Sequence, residues 1–185
     1  MIKISRTAFN RTLCTLTNIN EVKLDRIGGS LRSEGMVSVG GRVPNAMHIT
    51  LSDAKNIILG LLAADNASQA AKVVKVVSNF KSKDGVNFGE AVTTILADPD
   101  TASNVSSISV FRNSGKAVIG WSRFRSKVDI DENEYYPYKQ IFTAEGADIE
   151  ISGLIVEATL PKDVLDDIVT TIHKIDNNER IVNLR

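Results

Sequence analysis

The sequence predicts an α+β fold: a mainly helical, winged helix-turn-helix-like module over residues 1–82, then an antiparallel sheet with packed helices over residues 83–185. Apolar residues recur at helical spacing through most of the first half. Alternation of apolar and polar residues begins near Ser107. Residues 24–63 read as helix, glycine-punctuated hairpin and capped helix, in that order.

Ser5 is suited to cap a first helix running to about Thr17, with Phe9, Leu13 and Leu16 at helical spacing. The polar run Thr17-Asn18-Ile19-Asn20 leads into a second helix, about Glu21 to Ser33, whose Leu24, Ile27 and Leu31 share a face. Gly35 supplies the left-handed residue that closes it. Gly28-Gly29 costs that helix about 1 kcal/mol per glycine relative to alanine, so a break there, with Ser30 capping a second short piece, is the alternative. Met36 to Val39 alternates like a strand, residues 40–45 form a turn, and Met47 to Ile49 returns as the partner. Thr50 caps the next helix, striped by Leu51, Ala54, Ile57, Ile58, Leu61 and Leu62, with Asp53 in the first turn where the helix dipole favours a carboxylate. Another helix, about Ser68 to Phe80, turns Ala70, Val73, Val74 and Val77 inward.

Residues 81–86 are expected as a polar connector. Asn87 and Glu90 stand at capping-box spacing at the start of a helix bearing Phe88, Val92, Ile95 and Leu96, which Asp98-Pro99-Asp100 ends. Ser107 to Arg112 and Ala117 to Phe124 pair as a hairpin across Asn113-Ser114-Gly115-Lys116. Residues 129–134 form an acidic loop, and 138–142 and 149–156 are two more strands. Pro161 sits in the first turn of a final helix striped by Val164, Leu165, Ile168, Val169, Ile172 and Ile175, with His173 complementing its last turn.

The chain has 185 residues, 43% hydrophobic and 24% charged, enough for one sizeable core or two small ones. Cys14 is the only cysteine, which excludes an intrachain disulfide and a multi-cysteine zinc site; it is expected as a small buried hydrophobe in a reducing compartment. No run approaches the roughly 18 apolar residues of a membrane span, and no apolar stretch follows the first basic residues as in a secretory signal. A cytoplasmic protein with no membrane partner is expected. A formal net charge of zero argues against coating nucleic acid by bulk electrostatics. The distribution is uneven, because residues 1–50 carry seven Lys or Arg against three acids, and this basic end is the one with the helix-hairpin pattern.

Leu31-Arg-Ser-Glu-Gly-Met-Val-Ser-Val-Gly-Gly-Arg42 is similar to a "Leu-Arg-x-x-Gly-Leu-Ile-x-x-Gly-Gly-Arg" stretch, and the likeness continues through Ile49 to Asp65, Phe88-Gly-Glu-Ala-Val and Leu96-Ala-Asp-Pro. On these residues, across roughly positions 20–125, the chain resembles a family of small uncharacterised proteins encoded in bacteriophage and prophage genomes. The resemblance implies a phage origin, hence a bacterial host cytoplasm, and a winged-helix-like N-terminal half; it brings no established activity. Members often run a second Gly or Arg pair after Gly-Gly-Arg, making a basic wing. Here Val43-Pro44-Asn45-Ala46 leaves one arginine and a stiffening proline, which weakens a minor-groove reading of the wing.

A DNA-binding module of this kind would present Lys23, Arg26, Ser30 and Arg32 from the second helix, Arg42, Asn45 and His48 from the wing, and Arg6 and Arg11 from the first helix. Glu21 and Asp25 lie among these positions and repel phosphate. Trp121, Phe124, Tyr135, Tyr136 and Tyr138 cluster around Arg123-Phe-Arg-Ser-Lys127 and suit stacking on bases or anchoring a protein partner; the alternative puts Trp121 and Phe124 in the sheet core with the basic residues solvated. Trp121 and Phe124, three apart, share a face only across a bulge.

Gly40-Gly41-Arg42 lacks the Gly-Lys-Ser/Thr ending of a phosphate loop. Neither His48 nor His173 has a second metal ligand at suitable spacing, and Asp129/Asp131 and Asp166/Asp167 read as solvated acids. No Ser-His-Asp order occurs. The expectation is a non-enzyme without cofactor or metal: a phage-encoded, DNA-binding transcriptional regulator whose partners are double-stranded DNA and itself, as a homodimer or higher oligomer assembled through the C-terminal module. The alternative is a module that binds and inhibits a host or phage protein without contacting DNA.

Overall fold

The computed structural model describes residues 4–38, 48–122, 138–144 and 156–182. Within them the protein is α+β, with helices α1 (Arg6–Thr17), α2 (Glu21–Ser33), α3 (Leu51–Ala63), α4 (Ala70–Ser78), α5 (Phe88–Ala97), α6 (Pro99–Ser103) and α7 (Lys162–Val182), and a 3-10 turn at Ala67–Gln69 before α4. The strands β1 (Lys81–Ser82), β2 (Val105–Phe111), β3 (Lys116–Trp121), β4 (Tyr138–Thr143) and β5 (Glu157–Pro161) form one antiparallel sheet in the order β1-β4-β3-β2-β5.

The centre of the molecule is α3, in which ten of thirteen residues are buried. A helix apolar on nearly every side must be surrounded, and α2, α4, α5 and the β2 and β5 side of the sheet all pack against it. Gly60 is where α2 crosses: a Cβ there would lie 2.8 Å from Ile27 Cγ2, so any larger residue would push the two helices apart. Phe88 and Phe142 join α5 to the sheet with ring centroids 5.1 Å apart. One buried cluster runs from Phe9 and Leu24 through Ile57 and Phe80 to Phe88, Ile119 and Leu165, so the residue 82/83 boundary expected from sequence falls inside a continuous core.

Several local expectations need correction. Helix α2 spans Glu21–Ser33 as expected, and only the alternative break at Gly28-Gly29 is set aside, because Leu24, Ile27 and Leu31 are anchored in the core and tertiary burial outweighs the glycine penalty. Lys81 and Ser82 are an edge strand paired with Phe142 and Thr143, where a connector was expected. The Asn87 side chain makes no cap bond. Asp98 both ends α5 and starts α6, its carboxylate accepting from the Asp100 and Thr101 amides at 3.2 and 3.1 Å. Pro161 closes β5, an edge strand where its missing N–H is tolerated, and α7 begins one residue later. His173 lies inside α7 and its Nε2 is 3.0 Å from the Leu96 carbonyl, so it serves the end of α5 instead of its own helix. The hairpin β2–β3 forms as expected, with a bulge between Val105 and Ser107 opposite Gly120 and Trp121.

Candidate nucleic-acid interface

Helix α2 organises the candidate residues. Asn20 starts it, its side chain accepting from the Val22 amide at 2.8 Å. Gly35, at φ +67°, ends it, with the Met36 amide bonded to the Leu31 carbonyl at 2.9 Å. Because Leu24, Ile27 and Leu31 face the core, helical geometry sends the remaining positions to two flanks and an outer ridge. Lys23, Arg26 and Ser30 take one flank, and Glu21, Asp25 and Arg32 take the other. The ridge between them carries Val22, Gly29 and Ser33, with Val22 57% exposed.

The first flank borders an open groove of about 1090 Å³ between α2 and the 3-10 turn, lined by Asn20, Lys23, Arg26, Ser33, Asn66 and Ser68 among others. Among the described residues neither Lys23 nor Arg26 has an ion pair or side-chain hydrogen bond. The acid of this groove, Asp65, is taken by Arg112 at 2.9 Å. Arg112 also donates from Nε to the Leu62 carbonyl at 2.7 Å and so closes the end of α3. The starts of α2 and of the 3-10 turn both meet the groove, and helix N-termini favour anions. Ser30 is committed to packing: its hydroxyl donates to the Ser68 carbonyl at 3.0 Å and accepts from the Ala71 amide at 3.2 Å, capping α4 from outside.

The second flank shares a groove of about 460 Å³ with α1, lined by Arg6, Arg11, Cys14, Glu21, Asp25 and Arg32 among others. Arg6 donates to the Ser38 carbonyl at 3.0 Å; burial, then the neighbouring charge of Arg32, pushes its pKa below the usual arginine value. Cys14 is half-buried, and burial followed by the charges of Glu21 and Asp25 raises its pKa, which keeps the thiol protonated and unreactive at neutral pH.

Ser38 is also where Asp53 acts. The Asp53 carboxylate accepts from the Ser38 amide and the Thr50 amide, each at 3.0 Å, and from the Ser38 hydroxyl, while the Asp53 amide bonds back to the Thr50 hydroxyl at 3.0 Å. Burial pushes this carboxyl up, yet the hydrogen bonds outweigh burial and hold its pKa below the ordinary aspartate value. One carboxylate thus fixes both residues 38 and 50. His48 is exposed and forms an antiparallel bridge with Ser5, and Met36 to Ser38 form no strand, so residues 48–49 run beside the start of α1 where a pairing with residues 36–39 was expected. Arg42, Asn45 and the glycines of the expected wing lie outside the described residues, as do Phe124, Tyr135, Tyr136 and the basic run between them. Trp121 is partly buried against the core.

The structure therefore divides the sequence-derived residues. Lys23 and Arg26 stand together without a competing acid, whereas Arg6, Arg11 and Arg32 stand with two. Asn66 and Ser68 line the first groove, and Arg112 holds its Asp65; all three were missed, since nothing local in sequence joins them to α2. The signal at Asp53 was present as Thr50-x-x-Asp53, although its reach to Ser38 was not. Among the described residues no group of three potential metal ligands comes together, and no helix is long and apolar enough to cross a membrane. No family model, no curated protein and no solved structure matches the chain.

Proposed function

We propose that this chain binds double-stranded DNA through the groove between α2 and the 3-10 turn, and acts as a phage-encoded, homo-oligomeric transcriptional regulator. The observation that carries the reading is the pair Lys23 and Arg26: two cations without ion partners, beside two helix starts and the polar side chains of Asn66 and Ser68. Such a set holds phosphate oxygens and fixes register on a duplex, while the ridge of Val22, Gly29 and Ser33 has no bulky side chain to keep the helix from a major groove. The resemblance to phage-encoded proteins supports the phage origin alone. Occupancy of an operator would then block or assist transcription.

Binding to random and phage-derived duplexes across a salt series tests this. Affinity falling steeply as salt rises is the expected result; no binding at low salt sinks the reading. A protein-interaction role is favoured in that event by Val22, exposed on the ridge beside the unpaired acids Glu21 and Asp25.

A further inference from the structure

Asp65 is the only acid among the described residues that line the groove between α2 and the 3-10 turn, and its side chain is 75% exposed. Lys23 and Arg26 line the same groove. A carboxylate left free in that position is a tethered competitor, because it attracts the cations that a phosphate needs and repels the phosphate itself. Its charge is taken by Arg112, which lies 47 positions away, immediately after β2, and is no part of the groove's lining.

An isolated surface ion pair gains little, since two long side chains must be ordered to form it. Here the arginine is ordered by other bonds. Its Nε donates to the Leu62 carbonyl at 2.7 Å and its Nη2 to the Leu61 carbonyl at 3.4 Å, while its backbone amide donates to the Val156 carbonyl at 3.0 Å. That leaves Nη1 aimed at Asp65 Oδ1, 2.9 Å away. One planar fork thus serves both the open carbonyls at the end of α3 and the acid of the groove.

We infer that Arg112 is a positioning residue for the DNA-binding groove: it touches no part of the duplex, and by holding Asp65 it keeps Lys23 and Arg26 available to phosphate. The inference rests on the proposed binding of DNA in this groove. Two other roles for Arg112 predict different behaviour. An arginine that only closes α3 would not be replaced by removing the charge of Asp65. An arginine that itself holds phosphate would be released by Asp65→Asn, which would then tighten binding, while loss of Arg112 would weaken it whatever stands at residue 65.

The test compares the affinity of four full-length chains for a short duplex at low salt: wild type, Arg112→Gln, Asp65→Asn and the double variant. Arg112→Gln is expected to lose on the order of fivefold, the repulsion of one freed carboxylate at the groove, and the loss should shrink as added salt screens that charge. Asp65→Asn should gain no more than about twofold, and the double variant should return to within about twofold of wild type, so that the two changes are strongly non-additive. Circular dichroism checks that each variant is folded. If Arg112→Gln is not, Arg112→Lys takes its place, since an ammonium lacks the fork that reaches all three acceptors, and the same rescue by Asp65→Asn is expected from a smaller loss. A wild type that binds no duplex overturns the proposed function and this role with it. A wild type that binds, with Arg112→Gln binding equally well or with the double variant as weak as Arg112→Gln, overturns the role of Arg112 alone.

Discussion

The two flanks of α2 share one helix and one buried stripe, yet they differ in how their charges are completed. On the flank of Lys23 and Arg26 the acid within reach, Asp65, is neutralised by Arg112, a residue brought in from the far end of β2. On the flank of Arg32 the acids Glu21 and Asp25 stay unneutralised beside the arginines. The same residue types in the same helix thus suit a phosphate backbone on one side and a surface of mixed sign on the other. The lesson is that a count of cations along a helix says little until the third-party partners of the nearby acids are placed.

The largest expected effect comes from the anchor that serves the second flank. Asp53 fixes Ser38, to which Arg6 is bonded, so Asp53→Ala should cost about 3 kcal/mol of stability by leaving several donors without their charged acceptor. Because the folded pKa of Asp53 lies below its unfolded value, its contribution is fully present above the unfolded pKa and is lost as pH falls through the folded one. Urea melts of the wild type should therefore weaken as pH falls below about 4, and Asp53→Ala should show less of that loss. Equal pH slopes would detach Asp53 from acid stability.

A smaller loss belongs to the first flank. Ser30→Ala removes the cap that α2 gives α4 and should cost about 1 kcal/mol, with α4 amides becoming less protected in hydrogen exchange. An effect confined to DNA affinity, with no change in exchange, would mean Ser30 contacts a ligand and not α4.

The smallest effect has the opposite sign. A Cβ at Gly28 would meet Arg32 at an ordinary 3.5 Å, and one at Gly29 would meet it at 3.8 Å. Gly28→Ala and Gly29→Ala should each raise stability by roughly 0.5–1 kcal/mol in thermal melts. Gly29 lines the first groove, so a loss of DNA affinity in Gly29→Ala alone would show that a duplex approaches the backbone there.

Much of the fold was legible because it depends on local pattern. The stripes of α1, α2 and α3, the Thr50 cap and the β2–β3 hairpin are all written in residues a few positions apart. What escaped were interactions set by distant parts of the chain. The strand character of Lys81-Ser82 exists because β4 lies alongside, and His173 serves Leu96 across 77 positions. The same holds for the candidate site. Lys23 and Arg26 could be read as a pair from their spacing, but the separation of Arg32 onto the opposite flank needed the direction of the core, and Arg112 at Asp65 needed the folded sheet.

The division of labour between the flanks is tested most directly by two double variants measured side by side, Lys23→Ala/Arg26→Ala and Arg11→Ala/Arg32→Ala. The probe is a duplex of about 12 base pairs, roughly one helical turn and so room for one protomer, with affinity followed against salt. Loss of two phosphate contacts should lower the log–log salt slope by about 1.8 in the first variant, and the second should keep the wild-type slope on this short duplex. A slope that falls equally in both, or only in the second, would contradict the assignment of the two flanks.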